Sequence, residues 1–226
     1  MERASQSHIG SLYEVLPSFV LGFHGCDASV ADKVFAGNAR LRKSENDYDW
    51  LGHGIYFWEN NPQRALEYAH SIRDRPERTV GTVKSPAVVG AVIDLGRCLN
   101  LLDSSGINIV KDGYRHLKAT MKESGEPLPK NRVPAGETEY LLRHLDCAVI
   151  EFVHTIRRSQ DAPRFDSVRG VFVEGKPVYK GAGFHDKSHL QICVRSRRCI
   201  KGYFRVISDS IPSQVVRKRL AKTRIA

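Results

Sequence analysis

The sequence lacks the features that mark membrane, secreted and zinc-binding proteins. It has no apolar run near the roughly 18 residues that span a bilayer. Its first 17 residues do not place a basic region before an apolar core, so no secretion signal is predicted. Five cysteines at irregular spacing, with no Cys-x-x-Cys pair, favour neither a disulfide framework nor a structural metal site. We therefore expect a soluble cytoplasmic protein with no metal and no membrane partner.

What remains is the composition of an ordinary globular protein. Hydrophobic residues make up 41% and charged residues 27% of the 226 residues. This length is enough for one good core and short for two full domains. We predict a lead-in over residues 1–17, one domain over 18–206 and a basic tail over 207–226.

Positive charge is concentrated near the C-terminus. From Arg195 onward the chain has ten basic residues and one acid, Asp209, which accounts for +9 of the formal net charge of +10. Such clustering attracts phosphates and fits a nucleic acid, RNA or DNA, or a phosphorylated partner. A solvated strand edge followed by a basic tail explains the same charges equally well.

Hydrophobic periodicity predicts strands and helices that alternate early, with strands clustering late. The predicted strands cover residues 18–25, 51–59, 87–95, 167–175, 176–181, 189–196 and 199–207. The predicted helices cover residues 28–37, 62–71, 103–121 and 138–156. Ser29 and Thr138 are the expected N-caps of the first and last helix. This order favours an α+β fold over a doubly wound parallel sheet.

A histidine and a glycine, His24 and Gly25, end the first predicted strand. A glycine at this point allows a ligand to approach the backbone, whose N–H and C=O suit an amide-bearing ring. Taken alone, a histidine at a strand end is more often structural.

Two glycines precede an aromatic pair in the segment Gly52-His53-Gly54-Ile55-Tyr56-Phe57. They predict a tight bend that presents Tyr56 as a flat surface, with Tyr68 returning on the next helix to the other side of the same cleft. Two aromatic faces can hold a planar, cationic ring such as nicotinamide. Ordinary aromatic core packing is the competing interpretation.

Gln191 begins an apolar stretch late in the chain, in Ser188-His189-Leu190-Gln191-Ile192. Alternation alone predicts that this side chain faces solvent on an edge strand. By itself the segment is the weakest of the three signals.

Together and in this order, the three segments resemble the His-Tyr-Glu branch of the ADP-ribosyltransferase superfamily, which includes the poly(ADP-ribose) polymerases and diphtheria-type toxins. The matching motifs are His24-Gly25, then Gly54-Ile55-Tyr56-Phe57, then Ala65-Leu66-Glu67-Tyr68. The resemblance covers roughly residues 18 to 206. It departs at position 191, where the family has glutamate and this chain has glutamine.

The resemblance implies a split-sheet α+β domain with NAD in a cleft between two small antiparallel sheets. His24 would hydrogen-bond the adenosine ribose, and the Gly25 backbone would hold the nicotinamide amide. Tyr56 and Tyr68 would stack on the nicotinamide ring, and Gln191 would reach the 2′-hydroxyl of its ribose. Catalysis would then consist mainly of positioning and of electrostatic stabilisation of an oxocarbenium-like species.

Glutamine at position 191 changes the expected activity. Its amide can orient a ribose, but it carries no charge and takes no proton. Polymer elongation is therefore not expected, whereas transfer of one ADP-ribose or slow NAD hydrolysis is. Glu59, three residues after Tyr56, is a candidate substitute carboxylate, or alternatively a surface loop residue.

Two further segments have both a functional and a structural interpretation. Residues 44–50 could form an acceptor-facing loop, but Ser44 and Asp47 fit a turn better, and the role of Trp50 is left open. Arg169 could bind the NAD pyrophosphate or an acceptor phosphate, although a structural ion pair with Asp166 is the favoured interpretation.

We expect a mono-ADP-ribosyltransferase that modifies a protein or a nucleic acid. Analogy with the family suggests a bacterial toxin or defence effector, with an inhibitory partner protein. Two alternatives remain open: a module that binds NAD or ADP-ribose without turnover, and a nucleic-acid-binding protein that uses the fold only as a scaffold.

Overall fold

The computed structural model describes residues 19–76, 82–135, 137 and 139–207. The predicted lead-in, the predicted N-cap Thr138 and the predicted tail other than Ile207 lie outside the described residues. Across the described part of the chain, no helix combines the length and the apolar character that crossing a membrane requires.

Seven strands and four helices make up the described chain, which confirms a mixed α+β class. The strands are β1 (Phe19–Asp27), β2 (Ile55–Glu59), β3 (Pro86–Asp94), β4 (Cys98–Asn100), β5 (Ser167–Phe172), β6 (His189–Val194) and β7 (Ile200–Arg205). The helices are α1 (Ala28–Phe35), α2 (Pro62–Asp74), α3 (Ser104–Ser124) and α4 (His144–Ser159).

The strands form one sheet in the order β4-β5-β6-β2-β1-β3-β7, rather than the two separate antiparallel sheets that were expected. All neighbours are antiparallel except β4 and β5, which run parallel. The sheet is nevertheless weakly joined at one point. β1 pairs with β3 along its whole length, but with β2 only at Gly22 and Phe23.

Helices cover both faces of the sheet. Alternation places Phe57, Val89 and Ile192 on one face, where they pack against Ala31 and Val34 of α1. We call this the α1 face. The opposite face, which we call the α2–α4 face, is covered in two places. Its two covered clusters are Phe23, Trp58 and Val88 under Ala65 of α2, and Val168 and Cys193 under Ile150 and Val153 of α4.

The last helix begins six residues later than predicted. Leu142 instead pairs with Arg132 in an isolated bridge, which holds residues 139–143 outside the helix. The Asn131 side chain then accepts the N–H groups of Leu145 and Asp146, and so serves as the cap from a distant segment. A contact remote in sequence therefore overrides the helical periodicity.

Two smaller predictions are also wrong. Asp27, not Ser29, caps α1, because its carboxylate accepts the Ser29 N–H. Residues 176–181 form no strand, and only Pro177 makes an isolated bridge, to His185. β4 was not predicted, because three residues carry too little periodic pattern.

Gly25 sets how closely α2 can approach the sheet. A Cβ atom at this position would lie 2.0 Å from the Ala65 carbonyl oxygen and 3.3 Å from the Ala69 side chain. The missing side chain therefore allows the helix backbone to rest directly on β1.

We expect Gly25→Ala to lower the free energy of unfolding by about 1–3 kcal/mol, since a helix backbone cannot yield as a side chain can. At roughly 2–4 °C per kcal/mol for a chain of this size, the melting temperature should fall by about 2–12 °C in a circular dichroism melt. Gly202→Ala is the matched control, because a Cβ there meets nothing within 4 Å. Equal melting temperatures for both variants would contradict this packing role.

Candidate functional site

The sheet opens beside Gly25. The Leu21 carbonyl accepts the Asn60 N–H at 2.9 Å, so alternate residues from Leu21 onward turn their backbone groups toward β2. Phe23 is the last of these to pair with β2, opposite Trp58. The N–H and C=O of Gly25 therefore face the space where β2 has diverged.

His24 spans the beginning of this opening. Its Nδ1 lies 2.8 Å from the Tyr56 carbonyl oxygen, which can only accept, so Nδ1 carries the hydrogen. Burial lowers the pKa of His24 more than this bond raises it. The imidazole is therefore neutral at pH 7, and Nε2 is left as an acceptor suited to a hydroxyl group.

Tyr56 is fixed by the glycine bend that the sequence predicts. Its hydroxyl donates to the Gly52 carbonyl at 2.6 Å and accepts the Leu51 N–H at 2.8 Å. Gly52 has a φ of 73°, which a side chain would strain. Burial raises the pKa of Tyr56 well above its usual value, so the hydroxyl remains protonated.

An ion pair from two other elements holds the same bend. The Glu151 carboxylate on α4 accepts the His53 N–H at 2.8 Å, and it pairs with the guanidinium of Arg195, which directly follows β6. Arg195 also donates to the His53 carbonyl at 2.9 Å. Burial raises the pKa of Glu151, but the Arg195 and His53 donors outweigh burial and keep it low. Arg195 is therefore paired within the protein, and its charge is not available to bind a separate molecule.

Tyr68 is close to Trp58 and not stacked on Tyr56. Its ring centroid lies 4.9 Å from that of Trp58, and 40% of the residue is exposed. The predicted pairing of Tyr56 with Tyr68 across one cleft is therefore modified, because Trp58 contributes the ring next to Tyr68.

Gln191 lies inside the sheet and not at its edge. It is only 9% exposed on β6, between Gly170 of β5 and Trp58 of β2. Its amide makes no hydrogen bond to any residue that the structure describes. Solvent exposure, which alternation alone predicts, is thus wrong for this side chain.

Two buried ring nitrogens near Gln191 also lack partners among the described residues: Trp58 Nε1 and His189 Nε2. His189 lies two residues before Gln191 on the same face, and its ring centroid is 6.2 Å from that of Trp58. His189 Nδ1–H donates to the Lys187 carbonyl, which leaves Nε2 as an acceptor. A buried donor and a buried acceptor therefore lack protein partners on the same face as Gln191, which is typical of a site that binds a ligand or water.

The cluster continues from His189 to Trp50. The Trp50 ring lies 4.7 Å from Phe172, stacks near His189 and is covered by the Arg143 guanidinium at 4.1 Å. Its indole N–H donates to the Leu141 carbonyl at 2.9 Å. Trp50 is therefore an anchor for residues 139–143, which answers the question that the sequence left open.

The three central residues lie on three neighbouring strands but do not share a face. Strand register places Tyr56 and Gln191 on the α2–α4 face. His24 belongs to the α1 face, where its ring lies 5.8 Å from that of Phe57. The hydrogen bond between His24 and the Tyr56 carbonyl links the two sides at the point where the sheet opens.

Glu59 is not brought to Gln191. Its carboxylate forms a two-point ion pair with Arg169 at 2.6 and 2.7 Å, and its side chain is 5% exposed on the α1 face. The predicted pairing of Arg169 with Asp166 is wrong, because Asp166 pairs instead with Arg198 at 2.8 Å. Two-point geometry explains the preference of Arg169 for the buried carboxylate.

The turn interpretation of residues 44–50 is confirmed. The Ser44 hydroxyl donates to the Asp49 carboxylate at 3.0 Å, and the Asn46 N–H donates to it at 3.1 Å. Asp47 is exposed, with His144 at 3.3 Å. Burial raises the pKa of Asp49 despite these donors.

Sequence reasoning missed Trp58 and His189. Both stand one or two positions from predicted site residues, and period-two alternation would have put them on the face of Tyr56 and Gln191. That signal identifies the face but not the missing hydrogen bonds.

Comparisons with known proteins found no matching family, curated protein or solved structure. Among the described residues, no group of three or more His, Cys, Asp or Glu side chains is arranged to hold a metal ion.

Two buried histidines predict a loss of stability in mild acid. Burial lowers the pKa of both His154 and His189 to about 4, and for His189 the nearby Arg64 and Arg143 add to this. Since unfolded histidine has a pKa near 6.5, the unfolded state binds more protons between about pH 6.5 and 4. Stability is therefore full above that window and decreases as the pH falls through it.

We expect each of these histidines to lower the free energy of unfolding by about 1.4 kcal/mol per pH unit in the window. Urea unfolding at about pH 7, 6 and 5 measures the slope. His189→Phe should reduce it, whereas His116→Gln, on the exposed side of α3, should not. An unchanged slope in His189→Phe would contradict a buried neutral imidazole.

Proposed function

We propose that this protein binds NAD at the opening between β1 and β2 and transfers a single ADP-ribose to a macromolecular acceptor. The proposal places the chain in the His-Tyr-Glu branch of the ADP-ribosyltransferase fold. The observation that carries it is the early end of the β1–β2 ladder, which turns the Gly25 backbone toward an opening bordered by His24 and Tyr56.

The Gly25 backbone matches a primary carboxamide. An N–H donor and a C=O acceptor on one residue pair with the C=O and NH₂ of nicotinamide in two parallel hydrogen bonds. No side chain is required, and none would fit, because α2 occupies that side of Gly25. His24 Nε2 is an acceptor next to this position and suits a ribose hydroxyl.

The aromatic rings of the α2–α4 face suit the nicotinamide ring. Tyr68 keeps an exposed ring surface beside Trp58, and Tyr56 is held rigidly by its hydroxyl. A rigid aromatic face loses little entropy on binding and attracts a cationic ring. The unpartnered ring nitrogens of Trp58 and His189, together with the Gln191 amide on the same face, supply donors and acceptors for the attached ribose.

In the reaction, the bond between ribose C1′ and the nicotinamide nitrogen breaks, and nicotinamide leaves with the electron pair. A lone pair of the acceptor forms the new bond to C1′, and the acceptor's proton goes to solvent. Gln191 orients the ribose but takes no proton. We therefore propose transfer of one unit without chain elongation.

Binding without turnover is the second candidate. It is favoured by the uncharged amide at position 191 and by the engagement of Glu59 with Arg169, which leaves that carboxylate unavailable. Incubation with NAD labelled on the nicotinamide distinguishes the two: free nicotinamide indicates an enzyme, and retained NAD indicates a sensor.

Acceptor class is tested by NAD labelled on the adenosine, incubated with the protein and a cell lysate and then digested separately with protease and nuclease. Loss of the label with only one treatment identifies the acceptor.

Our working proposal for the biological setting is a bacterial toxin or defence effector held by an inhibitory partner protein. Co-purification of such a partner with this protein from the native cell tests it.

Tyr56→Ala is expected to lower nicotinamide release by about 10- to 100-fold, because stacking on an aromatic ring contributes about 1–3 kcal/mol. Tyr56→Phe is the matched control, since it keeps the ring and loses only the bonds to Gly52 and Leu51. Equal release by wild type and Tyr56→Ala would remove Tyr56 from the site.

Gln191→Ala is expected to lower kcat by about 100-fold relative to the wild type, because it removes a positioned hydrogen-bonding group. This loss should exceed that of Glu59→Ala. Glu59→Ala should instead lower stability, since it leaves the buried Arg169 without its partner. Nicotinamide release and urea unfolding are measured on both variants. The reverse ranking would assign the working carboxylate to the end of β2.

A further inference from the structure

A set of exposed cations gathers where the α1–β2 loop meets the start of β7. Leu41 of that loop is buried in the same cluster as Cys199, with Tyr203 packed against it. Burial raises the pKa of Tyr203, while Arg197 and Arg40 lower it, so both guanidiniums lie close to this phenol. Residues 40–43 and 197–203 thus form one surface although they are far apart in sequence.

Most cations of this surface have no acidic partner. Arg40, Arg42, Lys43 and Arg197 are exposed and form no ion pair with any described residue. Other basic residues of the C-terminal stretch are neutralised: Arg198 by Asp166, Lys201 by Asp94 and Arg205 by Asp32. Within the described residues of this surface and of the C-terminal stretch, the unpaired positive charge therefore lies on residues 40–43 and Arg197 and not along the whole C-terminal stretch.

An open depression of about 590 Å³ is lined by Arg198, the residue that follows Arg197. Its lining includes Arg164 and Arg198 beside Asp94 and Asp166, and Arg164 is exposed without an acidic partner among the described residues. We call the combined surface the basic strip, defined by its cations without an acidic partner among the described residues: Arg40, Arg42, Lys43, Arg164 and Arg197.

We propose that the basic strip binds the phosphodiester backbone of a nucleic acid. Its cations are exposed and come from three separate segments of chain, so the strip offers several contacts to a repeating anion. Guanidinium groups match phosphate oxygens in two-point geometry. Beyond Ile207 the sequence adds five basic residues against one acid, which extends the same charge.

The strip is connected to the proposed NAD site. Ser44 directly follows Lys43 and pairs with Gly54 through two backbone hydrogen bonds at 2.8 and 3.0 Å. The loop of the strip therefore ends on the bend that fixes Tyr56. If the proposed transfer activity holds, on which this last step rests, the acceptor is a nucleic acid bound along the strip.

The basic strip is tested by RNA binding. The full chain, without NAD, is titrated into a fluorescein-labelled single-stranded RNA of about 20 nucleotides, and binding is measured by anisotropy over a KCl series. The combined variant Arg40→Gln, Arg164→Gln, Arg197→Gln should flatten the plot of log K against log [KCl] by about 2, since each lost phosphate contact accounts for about 0.7. Lys111→Gln, Lys118→Gln, Lys122→Gln on the exposed side of α3 removes the same charge and is the matched control.

An equal loss in both triple variants would overturn the proposal, because net charge alone would then explain binding. Binding of polyglutamate as tight as that of RNA would overturn it too, in favour of an acidic protein partner. Nicotinamide release without added RNA, which needs no acceptor, is measured on the same variants and should be unchanged. RNA binding by a protein that releases no nicotinamide refutes the proposed function and leaves the strip intact, whereas NAD turnover with no RNA binding refutes the strip alone.

Discussion

The early end of the β1–β2 ladder is the constraint on which the rest of the structure depends. Two pairs of residues join β1 to β2, against nine between β1 and β3. Where the next backbone bond would form, the His24 imidazole donates to the Tyr56 carbonyl instead. The sheet stays continuous, but the His24 side chain holds its central junction. The N–H and C=O of Gly25 face the opening.

Several otherwise separate features follow from that junction. α2 can rest on β1 only because Gly25 has no side chain, and this brings Tyr68 over Trp58. The Glu151–Arg195 pair fixes the bend before β2, and the bend fixes the Tyr56 hydroxyl. The same bend receives the basic loop through Ser44 and Gly54. The proposed ring site, ribose site and nucleic-acid surface therefore share one rigid connection.

Strand and helix positions were largely predictable, because long apolar patterns with period two or 3.6 leave few alternatives. β1, β3, β6 and α3 lie close to their predicted ranges. Prediction failed where a distant group replaces a local one, as when Asn131 caps α4 and Leu142 pairs with Arg132. Ion-pair partners failed for the same reason: Arg169 meets Glu59, which is 110 residues away in sequence.

The sequence by itself determined the chemistry available: a histidine–glycine strand end, a glycine bend before Tyr56, an uncharged Gln191 and an excess of positive charge. These depend on residue type and local spacing. Only the tertiary structure decided which groups remain without partners, because pairing depends on strand register and on contacts between remote segments. It paired Glu59 with Arg169 and Arg195 with Glu151, and it left the buried ring nitrogens of Trp58 and His189 without partners among the described residues. It also put His24 on the opposite face from Tyr56.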